Sequence, residues 1–83
     1  MAVTIVLEDK PYRLITDGDE NYAVIEARDG LVYSLHSHDR QRAADTAEGM
    51  AAVVGYSWCK PSTAIECYHY MIRDETRYSQ TLW

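Results

Sequence analysis

Phenylalanine is absent from this 83-residue chain, and glycine, proline and cysteine are scarce, at four, two and two residues. Each scarcity excludes something. Four scattered glycines leave no glycine-rich loop to cradle a phosphate. Two cysteines, Cys59 and Cys67, make no disulfide framework, and both are expected to be reduced. No apolar run approaches the roughly 20 residues a membrane helix needs, so no membrane association is expected. The opening MAVTIVLED has no basic stretch, no long apolar core and no small-residue cleavage site. It does not read as a secretory signal, and the expected compartment is the cytoplasm.

Positive charge is also in short supply. Eight Lys and Arg stand against 13 Asp and Glu, a formal net charge of −5. Residues 1–30 hold seven acids and three bases, a net −4, so the negative field is concentrated there. Such a surface is repelled by phosphate backbones, and direct nucleic-acid binding is not expected. It suits a partner protein with a basic surface, or simple solubility. What the chain does have is seven Tyr and two Trp. Every ring carries a polar handle, which fits half-exposed positions and interfaces better than a dry core.

The chain is short enough to form a single domain, residues 1–83. Helical periodicity is confined to Ser37–Gly55, SHDRQRAADTAEGMAAVVG. There Ala43, Ala44, Ala47, Met50, Ala51 and Val54 recur at three- and four-residue steps, predicting a helix over about 39–54. Ser37 or Asp39 would cap it, and Gly55 would take the left-handed position past its end. The rest reads as strand. Val3–Leu7 and Tyr12–Thr16 form a hairpin about Glu8-Asp9-Lys10-Pro11, and Asp17–Asn21 is an acidic loop. Tyr22–Arg28 and Leu31–Ser37 form a second hairpin. After a connector, Tyr56–Ser62, come a long strand, Thr63–Arg73, and a short one, Arg77–Trp83. The predicted fold is α+β: an antiparallel sheet of about five to six strands with one helix packed on one face.

The second hairpin admits two registers. A two-residue turn at Asp29-Gly30 pairs Glu26 with Tyr33 and mixes polar with apolar residues on both faces. A three-residue turn, Arg28-Asp29-Gly30, pairs Ala27 with Leu31, Ile25 with Tyr33 and Ala23 with Leu35, leaving one face wholly apolar. The second is predicted. The helix then covers the apolar face, and the opposite face displays Tyr22, Val24, Glu26, Val32, Ser34 and His36. Tyr68 and Tyr70 join it if Ile65, Cys67, His69 and Met71 face the helix.

Several chemistries are tempting. His36-Ser-His38 and Cys67-Tyr-His69 together offer four zinc ligands of suitable type. The alternation sends the two pairs to opposite faces, so no metal is expected, and a small metal-binding protein stands as a second alternative. Asp17–Asn21 begins like a calcium loop, but the sixth and twelfth positions are Tyr22 and Arg28 instead of Gly and Glu. Cys67, His69 and Asp74 supply the types for a thiol triad with no local signature around them, so no enzyme and no cofactor are expected. Arg40 and Arg42, placed in the first helical turn, read as solvated charge or as partners for foreign carboxylates.

Size, acidity and the aromatic segment Ile65-Glu66-Cys67-Tyr68-His69-Tyr70, with the acidic DGDENYAVIEARDG, give the chain an outline that resembles the small anti-CRISPR proteins of bacteriophages. That resemblance implies an inhibitor occupying a nucleic-acid-binding surface of a CRISPR effector, a DNA mimic in charge, acting in the host cytoplasm. The expected partner-binding residues are Asp17, Asp19, Glu20, Tyr22, Glu26, Asp29, His36, Tyr68 and Tyr70. The first alternative is an antitoxin-like or accessory module that dimerises through an edge strand or the open face.

Overall fold

A computed structural model describes the backbone of residues 3–36 and 41–82, with side chains in the last helix as far as Arg73. The fold is α+β. Five strands run as an antiparallel meander in the order β1-β2-β3-β4-β5: Thr4–Asp9, Tyr12–Thr16, Tyr22–Arg28, Leu31–Ser34 and Ala43–Ala44. Two helices follow, α1 at Ala47–Val54 and α2 at Pro61–Leu82.

The first three strands arise as the alternation dictates. In β2 and β3, odd-numbered Ile15, Ala23 and Ile25 point to one face, and even-numbered Tyr12, Leu14 and Val24 to the other. Both faces are covered. On the first, Ile15, Ala23, Ile25 and Val32 lie under Met50 and Val54 of α1, with Val3 and Trp58 at the margin. On the second, Tyr12, Leu14 and Val24 lie under Ala64 and Tyr68 of α2. Ala23, Val24 and Ile25 are therefore consecutive and all fully buried, the pattern of a central strand sandwiched on both sides.

Several sequence expectations are corrected here. The helix expected over about 39–54 is confined to Ala47–Val54, and Ala43–Ala44 instead form the edge strand β5 against Leu31 and Val32. Thr46, in extended conformation, caps α1 by accepting from Gly49 N at 2.9 Å, whereas the expected caps Ser37 and Asp39 lie outside the described residues. Gly55 is right-handed, with φ −57°. The glycine that matters is Gly49, where a Cβ would run into the Ala44 carbonyl. Arg42 precedes β5 and lies over the Tyr33 ring at 5.7 Å, whereas Arg40 is outside the described residues.

The larger correction concerns the C-terminal third. The strands expected at Thr63–Arg73 and Arg77–Trp83 give way to one 22-residue helix, Pro61–Leu82, with Trp83 outside the described residues. Pro61 sits in its first turn, where a missing N–H costs nothing, and Lys60 C=O accepts from Ala64 N at 3.0 Å. Ala64, Cys67, Tyr68, Met71 and Ile72 are the residues turned to the sheet, spaced three and four apart. At 1.5 Å per residue α2 is roughly 33 Å long, about twice the span of five-residue β2. It outruns the strands that it covers.

The second hairpin adopts the register not predicted. Asp29 and Gly30 both have positive φ, 56° and 76°, and the pairs are Ala27↔Val32, Glu26↔Tyr33 and Ile25↔Ser34. A two-residue turn of this hand matches the twist of the flanking strands. The argument for a wholly apolar face fails because neither face is open. Each must accept some polar atoms: Ser34 is buried on one, and Glu26 is buried on the other with Arg28 at 2.8 Å.

The position of α2 separates two tyrosines expected to behave alike. Tyr68 keeps 4 % of its surface exposed and Tyr70 keeps 64 %. Tyr68→Ala is expected to lower unfolding free energy by about 3 kcal/mol and Tyr70→Ala by less than about 0.5 kcal/mol in urea titrations. Equal costs would mean that α2 does not lie on the sheet.

Candidate partner-binding site

The chain reaches α2 from α1 by passing the end of β3. β4 is only four residues long and stops at Ser34, opposite Ile25, so residues 22–24 of seven-residue β3 lose their ladder partner. Three substitutes complete that edge. Leu35 N donates to Val24 O at 3.1 Å. Val24 N donates to Nε2 of the His36 side chain at 3.0 Å. Tyr22 and Cys59 then exchange two backbone hydrogen bonds at 3.0 and 2.9 Å, while Cys59 Sγ reaches Tyr22 O at 3.2 Å.

This seam gathers an imidazole and a thiol, with Cys59 Sγ 3.8 Å from His36 Nε2. Burial lowers the His36 pKa and raises those of both thiols, Cys67 adding to the rise at Cys59. The His36 Nε2 lone pair is committed to Val24 N–H, and the thiol has the Tyr22 carbonyl to donate to. Neither group is placed to activate the other as nucleophile and base. Among the described residues no three of His, Cys, Asp and Glu are grouped to hold a metal ion. His69 is exposed and edge-on to Tyr68, 5.6 Å between ring centres, while His38 lies outside the described residues.

Beside the seam stands the acidic β2–β3 loop. Thr16 Oγ1 accepts from Gly18 N at 3.0 Å and donates to Asn21 O at 2.9 Å. Asp17 Oδ1 accepts from Asp19 N at 2.8 Å, and its Oδ2 accepts from the Asn21 side-chain amide at 2.9 Å. Those bonds, the Asn21 amide first, hold the Asp17 pKa below the usual carboxylate range. Asp17 thus builds the loop, and Asp19 and Glu20 are presented by it, both exposed and without an ion pair among the described residues. An open groove runs from Asp19 and Glu20 to Trp58, Lys60 and Pro61 of the connector. Tyr56, two residues before Trp58, is 98 % exposed.

The residues expected to form one binding surface are therefore dispersed. Asp17, Asp19, Glu20 and Tyr22 share this end, although Tyr22 is half-buried in the seam. Asp29 occupies the turn at the opposite end of β3. Glu26 and Tyr68 are buried, His36 is spent on Val24, and Tyr70 lies on the outer side of α2. The bare aromatic face expected from the sequence is filled by the chain's own second helix. Sequence reasoning missed Tyr56, Trp58 and Cys59. Their signal was available in YSWCKP, two large rings in a short polar connector.

No family model matches the chain, and neither curated proteins nor solved structures yield a match.

The depressed His36 pKa fixes the sign of a pH effect. The folded state binds the proton more weakly than the unfolded chain, so this contribution to stability is present above about pH 6.5 and is lost as pH falls through the lower folded value. Melting temperature is expected to drop from pH 7 toward pH 5 in the wild-type chain. His36→Gln, which keeps an acceptor for Val24 N–H, should flatten that slope. His36→Ala, which leaves the amide unpaired, should cost about 1–3 kcal/mol at neutral pH.

Proposed function

We propose that this chain is a non-enzymatic interaction protein that binds a cationic surface of a partner protein through the end of the molecule formed by the β2–β3 loop and the α1–α2 connector. The observation that carries this reading is the preorganised loop. Asp17 spends its carboxylate on Asp19 N–H and Asn21, and Asp19 and Glu20 stand outward with no ion pair among the described residues. Charges held in place before binding lose little freedom on docking and speed encounter with an opposite field. The connector supplies rings for burial at the same end, Tyr56 fully in solvent and Trp58 half-buried along the groove. Acidic residues beside exposed aromatics form the composition of an interface that pairs steering with an anchor.

The finer reading names the partner class. A net charge of −5 directs the chain to proteins whose basic surface holds nucleic acid, and occupation of that surface would inhibit them. The anti-CRISPR outline makes a CRISPR effector complex the first candidate. The docking surface in this reading is the acidic end; the sheet face beneath α2 takes no part.

Binding to a purified multi-subunit CRISPR effector is expected at low salt, to weaken about tenfold or more between about 0.05 and 0.3 M salt, and to compete with the effector's nucleic acid. Asp19→Lys with Glu20→Lys should reduce it at least about tenfold with thermal stability unchanged. Tyr56→Ala should slow association little and raise the dissociation rate. Absence of binding at low salt refutes the effector as partner; indifference of any captured basic partner to the Asp19 and Glu20 reversal refutes the acidic loop as the site.

A further inference from the structure

His36 joins three parts of the chain. It follows β4, its ring lies against β3, and it meets the connector that leads from α1 to α2. The His36 N–H donates to Ser34 Oγ at 3.2 Å, which fixes the main chain behind the ring. Nε2 accepts from Val24 N at 3.0 Å and lies 3.8 Å from Cys59 Sγ. Val24 is fully buried, so its N–H has the imidazole lone pair in place of water. A main-chain rung is indifferent to pH between about 5 and 8, whereas this rung is a titratable ring. The next rung, Tyr22 with Cys59, is an isolated bridge of one residue pair.

We infer that His36 is a proton-operated latch on the connector: the neutral ring closes the β3 edge, and the protonated ring swings out and lets Cys59 part from Tyr22 while the sheet stays folded. The cause is donor set against donor. A proton on Nε2 takes the lone pair that Val24 N–H needs. The neighbouring Tyr22 carbonyl is no substitute acceptor, since it already receives Cys59 N and Sγ at 2.9 and 3.2 Å. The ring is half-buried and has solvent to move into. Its departure leaves Val24 N–H unpaired, and water reaches that group once Cys59 moves aside. The other titratable groups packed into this side of the sheet are Tyr12, Tyr22, Cys59, Cys67 and Tyr68, all neutral between about pH 5 and 7. Of the carboxylates and lysines on the same elements, Glu26 pairs with Arg28, and Lys60 and Glu66 are exposed. Burial is what lowers the pKa of the closed ring. The open ring binds a proton with ordinary histidine affinity, so opening grows as pH falls below about 6.5 and levels off below the closed-state value. Trp58 adjoins Cys59 in the groove that Asp19 and Glu20 also line, so acid loosens that end of the molecule. Loss of a partner in acid would rest on the binding reading proposed above, whereas the latch itself does not.

The free chain supplies the test. Trp83→Tyr leaves Trp58 as the sole tryptophan. Between about pH 7.5 and 5 its emission maximum should move to the red while far-UV circular dichroism stays constant. His36→Gln in the same background should abolish the shift. Amide exchange of the wild-type chain needs no substitution. After correction for intrinsic rates, the Tyr22, Val24 and Cys59 amides should lose protection by up to about tenfold per pH unit below about pH 6.5. In acid their exchange should ignore low urea, whereas that of Ile15 and Ile25 should follow global unfolding and respond to it. Trp58 emission fixed until the whole chain unfolds, a shift that persists in His36→Gln, or seam amides that exchange only together with the core would each overturn the inference. Opening of the seam in a chain that binds no effector supports the latch and counts against the binding reading alone.

Discussion

The exchange of hydrogen bonds between Tyr22 and Cys59 decides where every later residue can go. α1 ends on one side of the sheet and α2 begins on the other, so the connector must pass an edge without leaving buried main-chain groups unpaired. It does so where β4 is short. Cys59 takes the ladder position beside Tyr22, and the His36 ring takes the next one beside Val24. Pro61 follows two residues later and starts a helix aimed along the second face. Without that seam the last third of the chain would have no fixed relation to the sheet.

A second tie works at the far end. Arg13, on β2, reaches Glu8 on β1 at 2.7 Å and grips Asp45 with two nitrogens at 2.7 and 3.1 Å. Asp45 precedes the Thr46 cap, so the entry to α1 is fastened to the middle of the sheet. The Arg13 hydrogen bond is the main cause of the lowered Asp45 pKa, and the tie loosens as pH falls toward the carboxylate range. The ion pair is partly exposed and its stabilisation modest, about 1 kcal/mol or less. Its value is positional. The acidic loop, Tyr56 of the connector and the β1 edge are among the features left exposed.

The meander was legible because strands of a hairpin answer to local chemistry. Tyr12–Thr16 and Tyr22–Arg28 were readable residue for residue from alternation and turn residues. The Asp29-Gly30 turn is also written plainly, but a register that keeps one face apolar competes with it. That register assumes a one-sided sheet. Leu14-Ile15 and Ala23-Val24-Ile25 argued otherwise, since adjacent apolar residues point to opposite faces and both were buried. The same assumption turned α2 into strands: Tyr68 and Tyr70 read as a solvent-facing pair only while nothing covered the second face.

By itself the sequence determined the first four strands and their pairing into two hairpins, the acid excess of the first thirty residues, and the loop that carries Asp19 and Glu20. These depend on neighbours a few positions apart. Tertiary structure alone decided that 61–82 coils instead of extending, that Tyr68 goes inside, and that His36 and Cys59 serve as ladder partners for β3. A segment carrying both a period of two and a period of 3.6 is settled by whichever face needs covering. That need arises only once the sheet exists, because the surface to be buried belongs to residues some forty positions away.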